Sequence, residues 1–236
     1  DIVTAGKDTV AIRMPAHPIA SKLIEYSGVP IAAPSANISG KPSATLAEHV
    51  IQDMKDKVDY IIVGGKVEFG IESTVIDLTT GEKPVLLRPG PIPPQKIAEI
   101  FGDIEIPDFA YGHVEADYIK APGMKYRHYS PDTPVVLIEH QVNEKMIYKV
   151  IEEYKKYSNP IILCLREHCN FYKENNMNCD IIGSEDNYYE FAIKLFEMLR
   201  KYDGQSEIII VEGIEDKGIG IAVMNRLRKA AHKIIQ

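Results

Sequence analysis

The chain has 236 residues, 45% hydrophobic and 26% charged, with a formal net charge of −7 when its histidines are neutral. That length suits two α/β domains, and the apolar fraction suffices for a real core. The acidic balance argues against a nonspecific nucleic-acid binder, which needs a basic surplus against phosphate, and no apolar run is long enough to cross a bilayer.

The chain opens on Asp1 inside what reads as structured sequence, without a charged-then-apolar leader. A trimmed, non-secreted chain is expected on that ground. Cys164, Cys169 and Cys179 are odd in number and form no CxxC pair, which suits reduced thiols in a cytoplasmic protein. With His168 their spacing is irregular, so no metal site is expected there.

Val10 to Arg13 reads as a strand, and His17 to Ser27 as an amphipathic helix with Ile19, Leu23 and Ile24 on one face. Gly28-Val29-Pro30 ends that helix, and a strand is expected at Ile31 to Ala33. A Ser-, Gly-, Asn- and Pro-rich loop runs from Pro34 to Ser43, after which Thr45 is expected to cap a helix over Leu46 to Met54. Tyr60 to Val63 reads as a buried strand before Gly64-Gly65. Ser73 to Leu78 and Val85 to Arg88 form a second strand pair, followed by a helix from Pro94 to Phe101. From Asp103 to Pro134 no period is sustained, which marks a functional segment or a linker. Beyond it, strands at Val135 to Ile138, Ile161 to Leu165 and Ile208 to Val211, with a shorter one at Ile181-Ile182, alternate with helices. The helices are Lys145 to Tyr157, Tyr188 to Tyr202 and Ile219 to Ile235, an alternation that predicts a parallel sheet flanked by helices.

The loop Ala33-Pro34-Ser35-Ala36-Asn37-Ile38-Ser39-Gly40-Lys41-Pro42-Ser43 offers hydroxyls, an amide and flexible backbone after a buried strand. Such a turn suits phosphate oxygens, or is an ordinary surface loop; it has neither Walker spacing nor a dinucleotide fingerprint. Arg13 and Arg88 each end a strand, where a guanidinium grips a carboxylate or forms a surface ion pair. Ser73 and Thr74 either line a cleft or cap a strand. The run Ala121 to Pro131 concentrates Lys125, Arg127, His128, Tyr126 and Tyr129, as a lid over a polyanion or a patch pinning two domains. Gly218-Ile219-Gly220 opens a helix, where packing is the expected role and anion binding the alternative.

Five segments, in order, resemble one family. They are Thr4 to Pro15, the Ser35-Ala36-Asn37 loop with Gly40 to Ser43, Glu72-Ser73-Thr74-Val75, Leu87-Arg88-Pro89-Gly90, and the Ala121 to Tyr129 linker. Met224-Asn225-Arg226-Leu227-Arg228-Lys229-Ala230-Ala231 is similar to the C-terminal ending of its longer members. The chain thus resembles the L-threonylcarbamoyladenylate synthases with a YrdC-type catalytic domain. The implied fold is a YrdC-like twisted mixed sheet with helices, incomplete here, plus a smaller C-terminal Rossmann-like parallel α/β domain. Expected boundaries are 1–104, a linker or lid at 105–133, and 134–236.

The resemblance implies that threonine, bicarbonate and ATP become threonylcarbamoyl-AMP and pyrophosphate, with magnesium accompanying ATP. A downstream transferase machinery then modifies tRNA, which this protein itself meets weakly or indirectly. Arg13, Ala33 and Ser73 are implied to hold threonine. Thr9, Ser35, Asn37, Ser43, Arg88 and His128 are implied to contact the nucleotide, Ser35 and Asn37 near its phosphates. No nucleophilic side chain and no protein-held metal are expected, because positioning and charge stabilisation carry such chemistry. An upstream lysine- and arginine-bearing motif of the family is not in this sequence, so the chain alone is expected to turn over poorly. The alternatives are a YrdC-like RNA-binding module and a carbamoyl-phosphate-handling relative.

Overall fold

A computed structural model describes residues 2–4, 6–114, 129–139 and 144–236. The C-terminal half is a parallel five-stranded sheet of β3 (Val135–Ile138), β4 (Pro160–Leu165), β5 (Cys179–Gly183), β6 (Ile208–Glu212) and β7 (Lys233–Ile235), ordered β5-β4-β6-β3-β7. In β3, β4 and β6 every residue is buried. That pattern suits strands covered on both faces, here by α5 (Glu144–Tyr154), α6 (Arg166–Glu174), α7 (Tyr188–Tyr202) and α8 (Gly220–Ala230). The main core lies here, including Leu137, Ile162, Leu163, Phe191, Phe196 and Leu227, all fully buried. Each such side chain contributes roughly 1.5–3 kcal/mol of burial.

Three stretches differ from the sequence expectation. The apolar run at the C-terminus is not one helix: α8 stops at Ala230, Ala231 turns extended, and Lys233–Ile235 joins the sheet beside β3. Its Ile234 and Ile235 matched the helical period by coincidence. The polar stretch Arg166–Glu174 forms α6, whose His168, Cys169 and Tyr172 share a buried face. Between Asp103 and Pro134, Glu105 bridges to Val85 and Asp108–Tyr111 forms the short α4.

A buried polar knot joins β6 to α6. The carboxylate of Glu212, with no exposed surface, accepts from Leu165 N at 2.6 Å, Tyr172 OH at 2.6 Å and His168 Nδ1 at 2.9 Å. Three donors on one buried carboxylate offset much of its desolvation. Next to it the sulphurs of Cys164, Cys169 and Cys179 lie within 4.8 Å of one another, all as free thiols. Burial, with Glu212 close by, drives the Cys164 thiol far up, and burial takes Cys179 to about 11. Cys164 and Cys179 are therefore protonated at neutral pH.

In the N-terminal part, α1 (Pro18–Ser27) and α2 (Ala47–Met54) precede an antiparallel pair, β1 (Val75–Asp77) and β2 (Val85–Arg88), and α3 (Pro94–Phe101). Leu86, Ile97 and Ala110 form a small core between β2, α3 and α4. The expected Thr45 cap is not made: Leu46 holds the N-cap position, and Thr45 N donates to His49 Nδ1 at 3.2 Å. The expected strands at 10–13, 31–33 and 60–63 pair with no other strand among the described residues. A strand without a neighbour leaves its amides to water, and Ile12 and Tyr60 are each 89% exposed. α1 likewise buries none of its residues. No helix among the described residues is long and apolar enough to cross a membrane.

Candidate active site

The site is built where the N-terminal loops meet α8. Two close backbone approaches shape it. Gly90 lies so near the 73–74 turn that a Cβ would sit 2.3 Å from Thr74 N, and Gly70 so near α7 that one would sit 2.4 Å from Ile193 O. Gly70 also has φ +69°, a left-handed conformation that favours glycine.

Glu72 is the hub. Its Oε1 accepts from Ser43 Oγ at 2.7 Å, and its Oε2 from Arg226 Nε at 3.1 Å. Arg226 is fully buried on α8 and also donates from Nη1 to Pro89 O at 2.6 Å. Its guanidinium lies 5.7 Å from the centre of the Tyr129 ring, a cation–π distance. Tyr129 is itself buried, stacks on Phe196 at 5.2 Å and carries φ +68°. A bulky residue in that conformation is strained and needs surrounding contacts to hold it. Arg88 turns back to donate from Nε and Nη2 to Ser73 O at 3.1 and 3.0 Å.

Charge follows the geometry. Burial pushes the Glu72 carboxyl up, but Arg226, the Ser43 hydroxyl and Arg88 outweigh it and hold the group below its ordinary range. Burial first, then the like charge of Arg226, lowers Arg88, and Arg13 adds repulsion. Arginine stays charged through such shifts. Three guanidinium groups thus share one neighbourhood with one ionised carboxylate, an arrangement that favours an anion.

The expected site residues divide into groups. Ser43, Ser73 and Arg88 are gathered around Glu72, and Arg13 is within electrostatic reach of Arg88. Thr9 is half-buried, while Ala33 and Ser35 are exposed in a loop outside any helix or strand. Among the described residues no hydrogen bond joins Thr9 or Ser35 to this cluster. His128 lies outside the described residues. Asn37 is oriented by its own loop: Nδ2 donates to Ile38 O at 2.9 Å and Lys41 O at 3.2 Å. Its buried Oδ1 has no partner. With both donors engaged, Asn37 presents an acceptor, which suits a hydroxyl, an amine or a metal-bound water rather than a phosphate oxygen.

Glu72, Tyr129 and Arg226 were not among the expected site residues. Glu72 and Arg226 stand inside the quoted family-like segments, yet nothing local marks them as partners 154 positions apart. The available signal was that Arg226 follows the small and apolar run Gly220 to Met224 within α8.

Comparison with known proteins agrees along the whole chain. A family model described as "Threonylcarbamoyl-AMP synthase, C-terminal domain" matches residues 92–232, and one described as "Telomere recombination" (Sua5_yciO_yrdC) matches residues 1–90. The chain is 46% identical to a threonylcarbamoyl-AMP synthase of Pyrococcus abyssi, over 100% of this chain and 68% of that protein. It is 41% identical to a threonylcarbamoyl-AMP synthase of Bacillus subtilis, over 97% of this chain and 65% of that protein. The fold is similar to the crystal structure of P. abyssi Sua5 complexed with L-threonine, with TM-score 0.86 and 44% identity, covering 99% of this chain and 67% of that one. The chain therefore spans about two thirds of the length of these relatives. At these levels of identity, and with both halves matched in order, the chain belongs to the threonylcarbamoyl-AMP synthase family.

Proposed function

We propose that the protein bearing this chain joins L-threonine, bicarbonate and Mg-ATP into threonylcarbamoyl-AMP and pyrophosphate. The observation that carries this reading is the gathering of Ser43, Ser73 and Arg88 around the Glu72–Arg226 pair, with Arg13 nearby. It is supported by the likeness to a P. abyssi protein crystallised with L-threonine.

The chemistry needs two condensations. The threonine amine attacks the carbon of bicarbonate and, with loss of water, leaves a carbamate. A carbamate oxygen then attacks the α-phosphorus of ATP, and the bond to the β-phosphate oxygen breaks to release pyrophosphate. Neither step requires a nucleophilic side chain, so positioning and charge stabilisation carry the rate. Arg13 grips the threonine carboxylate through its fork of donors, with Ala33 and Ser73 along that end. Arg88 and Ser43 face the nucleotide, joined by Thr9, Ser35 and, from the linker, His128.

Magnesium arrives as part of the substrate Mg-ATP. Glu72 is committed to Ser43 and Arg226, so the cluster supplies no uncommitted carboxylate among the described residues. The orphaned Asn37 Oδ1 fits a magnesium-bound water. We place the reaction in the cytoplasm, ahead of a transferase that moves the threonylcarbamoyl group onto tRNA.

Pyrophosphate release from the full-length protein tests the reading. Release that requires threonine, bicarbonate and Mg-ATP together is expected, with Arg13→Ala raising the threonine KM by about tenfold or more, as for loss of a charge-assisted pair. No release from a folded protein that binds tRNA in a salt-dependent way would replace it with an RNA-binding module.

A further inference from the structure

The loop from Ser35 to Ser43 is held chiefly from outside its own part of the fold. Arg200, on α7, donates from Nε and Nη2 to Pro42 O at 2.9 and 2.6 Å. The same guanidinium pairs with Asp53 at 2.6 Å, and the Asp53 carboxylate accepts from Ile38 N at 3.2 Å. Ser130 N donates to Gly40 O at 3.0 Å, and Lys41 pairs with Asp132 and Asp203. Arg226, on α8, fixes Glu72, which receives the Ser43 hydroxyl. Residues 38, 40, 41, 42 and 43 are thus all fastened, directly or through one carboxylate, to the C-terminal domain or the segment leading into it.

The donors are built for the task. The Arg200 side chain is only 11% exposed, and that of Arg226 is completely buried. Their fork geometry serves two acceptors at once, which lysine cannot copy. A loop rich in small residues would otherwise sample many conformations, and ordering it upon binding would cost affinity.

We propose that Arg200 and Arg226 are positioning residues through which the C-terminal domain holds the 35–43 loop in its nucleotide-receiving shape. The clamp gives that domain a direct part in ATP affinity without contact with ATP. The inference rests on the proposed function only for the identity of the ligand.

The test uses the full-length protein, its Arg200→Gln, Arg226→Gln and Arg200→Lys variants, and two readouts. Amide hydrogen exchange in 35–43 should rise about tenfold or more in the Gln variants, as for loss of a charged hydrogen bond, while β3, β4 and β6 stay protected. The ATP KM should rise about tenfold while the threonine KM stays within about twofold, and Arg200→Lys should fall between parent and Gln. Unchanged loop exchange in a variant with a protected sheet would overturn the clamp, as would equal rises in both KM values. If a Gln variant loses sheet protection, Arg200→Lys decides by the same criteria. A parent protein that releases no pyrophosphate would sink the proposed reaction and leave the clamp to be judged on exchange alone.

Discussion

Replacing Glu72 should expose how strongly the two parts of the chain are tied. In Glu72→Ala the fully buried Arg226 loses its carboxylate and keeps, among the described residues, the neutral acceptors Pro89 O at 2.6 Å and Asn225 Oδ1 at 3.4 Å. Stranding one partner of a buried pair costs about 3–5 kcal/mol. The Glu72 side chain is 19% exposed, so water reaches part of this site and the lower end applies, about 3 kcal/mol. At about 2–4 °C per kcal/mol for a chain of this size, the melting temperature should fall by roughly 6–12 °C. Glu72→Gln keeps an acceptor for Ser43 and Arg226 and should lose about half of that. The decisive assay is a double-mutant cycle read by urea unfolding. Glu72→Met combined with Arg226→Met should cost less than the sum of the single changes, by about 1–3 kcal/mol. Additive losses would refute the coupling and with it the account of Glu72 as the hub.

Two further outcomes follow from particular contacts. The hydrogen bond to Glu212 raises His168 above its ordinary 6.5 despite burial, with Glu185 and Glu167 adding to the effect. A raised folded value means that the stabilisation is complete below 6.5 and is lost as pH climbs through the folded value. The urea midpoint should therefore decline above pH 6.5 more steeply in the parent than in His168→Gln, and parallel profiles would contradict this. Gly70→Ala should weaken the seat of the 70–73 turn on α7, since its Cβ would meet Ile193 O at 2.4 Å in a left-handed backbone. A loss of about 1–3 kcal/mol is expected from unfolding curves, whereas Gly204→Ala, at a similar left-handed φ of +74° but with nothing within 4 Å of its Cβ, should lose less.

The C-terminal sheet was legible because buried parallel strands announce themselves as short apolar runs such as Ile208–Val211. Helix α7 was read to the residue, since its apolar spacing persists over four turns. Helix α6 was not, because its buried face is made of His168, Cys169 and Tyr172, which carry little hydrophobic signal. The N-terminal runs at 10–13, 31–33 and 60–63 look like strands locally, but pairing is a nonlocal property and no neighbour is described for them. In the site, Arg88 and Ser43 were legible through family-like segments. The pairing of Glu72 with Arg226, and of Arg200 with Pro42 O, was not, because a buried cation and its acceptor leave no shared pattern in the sequence.

The proposed reaction joins threonine to the nucleotide through a carbamate carbon taken from bicarbonate. Supplying the full-length protein with L-threonine, Mg-ATP and carbon-labelled bicarbonate, and weighing the nucleotide product by mass spectrometry, tests it most directly. One adduct containing AMP, threonine and one labelled carbon, formed in step with pyrophosphate, is expected. An unlabelled threonine–AMP adduct, or no adduct from a folded protein, would contradict it.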